Sequence, residues 1–289
     1  MAAQTMIEVD DLSVFVGQTA AVQGVRFEIA AGQRVGLIGE SGSGKSLTAL
    51  AIMGLLGDGL SATGRVMFRD RDLLALDEEQ LAKIRGNEIS MIFQEPMTAL
   101  NPLMRVGDQV AESLLIHRHM SKAEARNQAL EMLRRVHLRD PEMRIQSYPH
   151  QLSGGQRQRV MIALSLVGGP ALLIADEPTT ALDVTVQAEV LKLLVELVEA
   201  ESAALVLITH DLPVVANTCE RVLVMYGGRI VESGSTAEVF VAPQHPYTQG
   251  LLSAVPEIDE QGTRLDRLPT IPGAVPGLGR FPRGCVFRD

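Results

Sequence analysis

Hydrophobic positions come in short bursts along most of this chain, separated by glycines and charged residues. VRFEIA (25–30) and RVGLIG (34–39) have the length and apolar character of strands, and SLTALAIMGLL (46–56) has that of a helix. ALLIA (171–175) and ALVLIT (204–209) are almost wholly apolar, the pattern of strands covered on both faces. Between them, VTVQAEVLKLLVELVEA (184–200) places Val186, Val190, Leu193, Leu194 and Leu197 on one helical face. RVLVMY and RIVES, joined by Gly227-Gly228 (221–233), predict a hairpin. Strands alternating with helices predict a parallel sheet with helices on both faces. The hairpin and IEVDDLSVFV (7–16) predict antiparallel strands added to it.

Residues 95–150 break this rhythm. Strand-like runs vanish, and Ser121 to Glu124 form a capping box ahead of EARNQALEMLRRV. This segment predicts a helical lobe inserted into the sheet domain. The chain changes again near its end, where seven of the fourteen prolines fall in 243–289. Such density disfavours long helices and central strands and predicts a loop-rich extension. The expected division is a core of 1–94 and 151–240, a helical subdomain of 95–150, and a C-terminal extension of 241–289.

Composition narrows the class. The 289 residues are 46% hydrophobic and 21% charged, as in an ordinary globular protein. A net charge of −9 argues against a nucleic-acid partner. The longest apolar stretch, MIALSLVGGPALLIA (161–175), is interrupted by Gly168-Gly169-Pro170 and is too short to span a bilayer. The N-terminus lacks a basic segment followed by an apolar one, so no signal peptide is expected. Two cysteines, Cys219 and Cys285, do not make a disulfide framework. The expectation is a soluble intracellular protein.

The chemistry begins at GESGSGKS (39–46). It fits the phosphate-loop pattern, with Gly39, Gly44, Lys45 and Ser46 in the defining places, a strand before it and a helix after it. Glycines let successive N–H groups turn toward one anion, and the helix N-terminus adds partial positive charge. Lys45 is placed to reach the β- and γ-phosphates, and the Ser46 hydroxyl to ligate Mg²⁺. The bland alternative is a flexible turn with an accidental lysine. A second site follows the apolar strand in ALLIADEP (171–178), which delivers Asp176 and Glu177 at its C-terminal end, where ligands of open α/β sheets collect. Asp176 suits the water shell of Mg²⁺, and Glu177 suits the activation of an attacking water. The alternative there is a pair of solvated turn carboxylates before Pro178.

LSGGQRQRV (152–160) carries the argument to a family. Leu152 to Gln156 resemble the signature of ATP-binding cassette (ABC) ATPases. Gln94 in MIFQEP is similar to that family's Q-loop glutamine, Ala181-Leu182-Asp183 to its D-loop, and His210 in LITHD to its switch histidine. The resemblance implies an α/β P-loop NTPase (RecA-like) core with an antiparallel β subdomain and an inserted helical subdomain. It implies that Gly39, Glu40, Ser41, Gly42, Ser43, Gly44, Lys45, Ser46 and Thr48 bind ATP. Ser46, Gln94 and Asp176 would hold Mg²⁺, and Glu177, Gln94 and His210 would serve catalysis. Asp183 would belong to the D-loop, and Ser153, Gly154, Gly155 and Gln156 would act across an interface. There the signature of one subunit closes over the ATP held by another's phosphate loop, so a second ABC ATPase, identical or related, is implied. Adenine would stack on an aromatic near the N-terminus; the expected place falls on Val16, beside Phe15.

Two further stretches narrow the branch. QEPMTALNPLMRVGDQV (94–110) and HPYTQGLLSAVP (245–256), followed by LPTIPGAVPGL and GCVF, resemble the oligopeptide/dipeptide/nickel importer group. That resemblance implies an ATPase subunit at the cytoplasmic face of a bacterial plasma membrane, docked on two permeases and served by an extracytoplasmic solute-binding protein. Peptide import is the leading reading. Import of nickel or another small solute and a non-transport ABC ATPase are the alternatives. Some members of the group carry an iron–sulfur cluster beyond GC-x-F. Cys285 alone cannot supply its roughly four thiolates, so no such cluster is expected in this chain as given. Cys219, in ANTCERVLVM, reads as a small buried hydrophobe.

Overall fold

The computed structural model describes residues 4–94, 99–179, 182–254, 271, 276–282 and 284–287. In chain order these form β1 (Thr5–Val16), β2 (Thr19–Ala30), β3 (Arg34–Ile38), α1 (Lys45–Met53), β4 (Leu60–Phe68), β5 (Arg71–Asp72) and α2 (Glu78–Ile84). There follow β6 (Ile89–Ile92), α3 (Val106–His117), α4 (Lys122–Arg135), α5 (Pro141–Arg144), α6 (Gly154–Leu166), β7 (Leu172–Asp176) and α7 (Val184–Ala200). The chain continues with β8 (Ala204–Ile208), α8 (Leu212–Thr218), β9 (Arg221–Tyr226), β10 (Arg229–Ser235), α9 (Thr236–Val241) and α10 (Pro246–Ser253). These elements divide into two compact units.

The first unit contains Ile29–Gln33 and Ala75–Ile208, with the chain up to Met6. Its strands β6, β7 and β8 run parallel, with Ile92 opposite Ala175, Ala175 opposite Leu207 and Asp176 opposite Ile208. Every residue of these three strands is buried, which is why they read as unbroken apolar runs rather than alternating ones. Helix α7 has the predicted limits because Asp183 caps it, the side chain accepting from the Val186 N–H. Its Val190, Leu193, Leu194 and Leu197 are buried, as the spacing predicts. Residues 99–151 carry no strand. Helices α3, α4 and α6 pack on one another, α4 through Ala125, Ala129, Met132 and Leu133. The predicted capping box opens α4: Ser121 Oγ accepts from the Glu124 N–H, and Glu124 accepts from the Ser121 N–H.

The second unit contains Ile7–Glu28, Arg34–Leu74 and the chain from Thr209. An antiparallel sheet of order β2-β1-β4-β5 lies here, with Val9 opposite Val66 and Val14 opposite Ala62. Its β1 buries Ile7, Val9, Leu12 and Val14. The parity changes across the irregularity between Asp10 and Ser13. Strand β3 pairs parallel with β9, and β9 pairs antiparallel with β10. The predicted hairpin is present, and Gly227 and Gly228 at its turn have φ of 56° and 78°, as a tight hairpin turn with two left-handed residues demands. Strands β4, β5 and β6 and helices α2 and α9 lie where the sequence suggested no element. Helix α10 begins with Pro246 as its first helical residue, where the missing N–H costs nothing. Much of the predicted proline-rich extension, including LPTIPGAVPGL up to Val275 apart from Ile271, lies outside the described residues, as do Ala181 of the D-loop and Glu95–Thr98 after Gln94. Among the described residues no helix is long and apolar enough to cross a membrane.

Candidate functional site

In the second unit, the turn between β3 and α1 excludes a side chain at two of its glycines. Gly39 has φ of 150°, and a Cβ placed there would lie 2.1 Å from the carbonyl oxygen of Met225. Gly44 caps α1 in a left-handed conformation with φ of 104°, and its added Cβ would press on Met225 and Val22. The β9–β10 hairpin backs the turn, and the Gly228 N–H donates to the carbonyl of Ser43 at 3.0 Å. Lys45 is buried at 5% exposure, and its Nζ donates to the carbonyls of Gly39 (2.8 Å) and Glu40 (2.9 Å). Ser43 is buried, whereas Ser41 and Gly42 face solvent. Ser46 is half-buried in the first turn of α1. Thr48 faces inward and donates from Oγ1 to the Gly44 carbonyl at 2.9 Å. A glycine-lined turn, a buried ammonium and the N–H groups of a helix start form a cradle for a polyanion.

In the first unit, Asp176 ends β7 with 3% exposure, and Glu177 follows it. The Glu177 backbone is left-handed at φ 45°, a conformation that costs a non-glycine residue on the order of 1 kcal/mol or more. Its N–H is held by the carbonyl of Ile208 at 2.9 Å. The side chain meets Gln94, whose Nε2 donates to Glu177 Oε2 at 3.2 Å. Two residues 83 positions apart, singled out separately in the sequence, thus share one hydrogen bond. The oxygen donors of Ser46, Gln94 and Asp176 are of the hard type magnesium prefers.

The signature segment also lies in the first unit. Leu152 is buried and anchors it, while Ser153 and Gly154 are exposed. Ser153 caps α6: its Oγ accepts from the Gln156 N–H at 3.4 Å, and Gln156 Oε1 accepts from the Ser153 N–H at 3.0 Å. A Cβ on Gly155 would meet Val186 at 2.9 Å, so the start of α6 packs against the first turn of α7, which Asp183 caps. The signature and the described part of the D-loop are therefore neighbours, and they present a helix N-terminus to the surface.

His210 belongs to the second unit and is exposed between the buried Thr209 and Asp211, the residue that caps α8. Phe15, opposite Ser61, is half-buried, and Val16, opposite Leu60, is 43% exposed. Both sit at the end of β1 in the unit that carries the phosphate loop. Cys219 is buried, and burial pushes its thiol up to about 11, so it stays protonated and acts as a small apolar group. Among the described residues, no three His, Cys, Asp or Glu side chains cluster to hold a metal ion. One contact had no signal in the local patterns: the phosphate loop's Glu40 N–H donates to the hydroxyl of Tyr247, 207 residues further along.

Comparison with known proteins places this geometry. Residues 22–180 match the model of the ABC transporter family, and residues 231–289 match that of the oligopeptide/dipeptide transporter C-terminal region. A dimeric ATP-binding cassette in a post-hydrolysis state, bound to ADP and phosphate, superposes with a TM-score of 0.71 at 32% identity, over 80% of this chain and 99% of that one. The chain belongs to the ABC transporter family, and its fold is the mixed α/β fold of that family's ATPase cassettes. Within the family it groups with the ATP-binding subunits of peptide transporters. It is 51% identical to a probable peptide ABC transporter ATP-binding protein of Sinorhizobium fredii, over 99% of this chain and 87% of the relative. It is 50% identical to the oligopeptide transport ATP-binding protein OppD of Escherichia coli, over 99% of this chain and 85% of the relative.

Proposed function

We propose that this chain is the ATP-hydrolysing subunit of a peptide importer, and that it works as half of an ATPase pair at the cytoplasmic face of the membrane. The observation that carries the reading is the joint match of the cassette at 22–180 and the peptide-transporter C-terminal region at 231–289. The ATPase pair finds support in the dimeric neighbour and in the exposed position of the signature.

The roles follow from the side chains. The phosphate loop, Gly39 to Ser46, wraps the triphosphate, with Lys45 neutralising the β- and γ-phosphates. Ser46, Gln94 and Asp176 are the residues that would hold a magnesium ion, which would supply positive charge to the phosphate oxygens. Glu177, oriented by Gln94, accepts the proton of the attacking water. His210 contacts the γ-phosphate, and Ser153 to Gln156 close on the ATP of the partner. Asp183 stiffens the start of α7 beside that signature. Phe15 is the better candidate for adenine, since Val16 offers no ring to stack on.

Two permeases and an outside binding protein complete the reading, with the helical segment from residue 99 to 150 docking on the permeases. Uptake of a radiolabelled tripeptide and of ⁶³Ni²⁺ by cells carrying wild-type or E177Q protein tests it. Peptide uptake should fall to background in E177Q while nickel uptake stays unchanged. Loss of nickel uptake alone would move the chain to the alternative solute. Failure of any permease to co-purify would favour a non-transport ATPase.

A further inference from the structure

The peptide group joining Gly39 to Glu40 is gripped at both ends. A trans peptide points its C=O and N–H in opposite directions. On one side the Gly39 carbonyl accepts from Lys45 Nζ at 2.8 Å. On the other the Glu40 N–H donates to the Tyr247 hydroxyl at 2.9 Å. Lys45 is the cation of the phosphate loop. Tyr247 comes from α10, in the segment that matches the peptide-transporter C-terminal region. One peptide plane therefore links that C-terminal region to the nucleotide lysine.

Tyr247 is held firmly enough to do this. It is fully buried, with no exposed surface. The start of its helix is tied to β10, because Glu232 accepts the N–H groups of Gln244 (2.7 Å) and His245 (2.9 Å). His245 caps the helix by accepting from the Tyr247 N–H. The Tyr247 ring lies 4.5 Å from that of Tyr226 at the end of β9, and 5.5 Å from Phe287. Phe287 and Phe281 both stand nearly perpendicular to the Tyr226 ring, and Phe281 lies so close to Gly227 that a Cβ there would be 2.7 Å from the ring. Burial pushes the Tyr247 phenol up to about 12, so the hydroxyl does not titrate in the physiological range.

We propose that Tyr247 is a positioning residue of the ATP site: its hydroxyl fixes the orientation of the Gly39–Glu40 peptide, and with it the loop conformation in which Lys45 meets phosphate. Through that one hydroxyl, the C-terminal region sets ATP affinity. The proposal rests on the phosphate-loop reading above. Without the hydroxyl, the Glu40 N–H loses its buried acceptor, the peptide is free to rotate, and Lys45 loses a fixed anchor.

The test is calorimetric titration of MgATP into the full chain as wild type, K45A, Y247F and Y226F. Y247F keeps the ring and its packing and removes one oxygen. Its dissociation constant should rise about tenfold, the size of one buried hydrogen bond. Y226F removes the same atom from the adjacent ring, which makes no bond to Glu40, and should stay within about twofold of wild type. A purely structural role would lower the melting temperature of Y247F and leave its affinity unchanged. Affinity of Y247F within twofold of a wild type that does bind, or an equal loss in Y226F, overturns the proposal alone. A wild type that does not bind MgATP, or a K45A variant that binds it normally, overturns the phosphate-loop reading instead and the proposal with it. Should Y247F fail to fold, F287A keeps the hydroxyl but unseals the ring; it should weaken MgATP several-fold, and unchanged affinity there counts against the proposal.

Discussion

Replacement of Glu177 by glutamine is expected to abolish ATP turnover while leaving ATP binding intact. The amide is isosteric with the carboxylate and still offers an oxygen to Gln94, which donates to Glu177 Oε2 at 3.2 Å. The strained backbone at φ 45° and its bond to Ile208 do not depend on the side-chain charge. What disappears is the basic oxygen. A positioned general base contributes roughly a hundredfold to ten-thousandfold to a rate, so turnover should fall by at least about two orders of magnitude. ATP should then accumulate unhydrolysed at the interface and hold two protomers together, since hydrolysis is what loosens the pair. Steady-state phosphate release and size-exclusion chromatography with MgATP check both halves. Unchanged turnover would remove Glu177 from its role.

The second large effect is expected at Lys45. Its ammonium is buried at 5% exposure and ties together the first two carbonyls of the phosphate loop. Lys45→Ala removes the charge that meets the phosphates and also the anchor of the loop itself. Loss of one such preorganised group typically costs a hundredfold to a thousandfold, and ATP binding or hydrolysis should fall by about that much. Filter binding of labelled ATP and single-turnover hydrolysis separate the two. A mild effect on both would contradict the cradle.

These residues were legible in sequence because each motif is local. GESGSGKS, ADEP and LITHD each follow a strand and lead into a helix, LSGGQ opens a helix, and the structure puts a strand or helix end beside each. The elements read best were those with an unambiguous period or an unbroken apolar run. Strands β7 and β8 are buried on every residue, and α7 has both a capping Asp183 and a clean apolar face. What escaped was short or irregular. Strand β6 has only four residues, β4 carries Gly64 in its middle, and α9 has only six residues despite a Ser235–Glu238 capping box. Contacts between distant segments were not legible at all. No local pattern says that Tyr247 should accept from Glu40, because the two are brought together only by the packing of α10 against the end of β9 through Tyr226. HPYTQG was readable as a mark of kinship, but not as a contact with the phosphate loop.

The reading depends on catalysis being shared between protomers. Cryo-electron microscopy of the complete importer, trapped with MgATP by E177Q, measures this directly. Ser153 Oγ of one ATPase subunit should lie about 3 Å from a γ-phosphate oxygen of the ATP seated on the opposite subunit's phosphate loop. A nucleotide enclosed by one subunit alone, with Ser153 remote from any phosphate, would contradict the account.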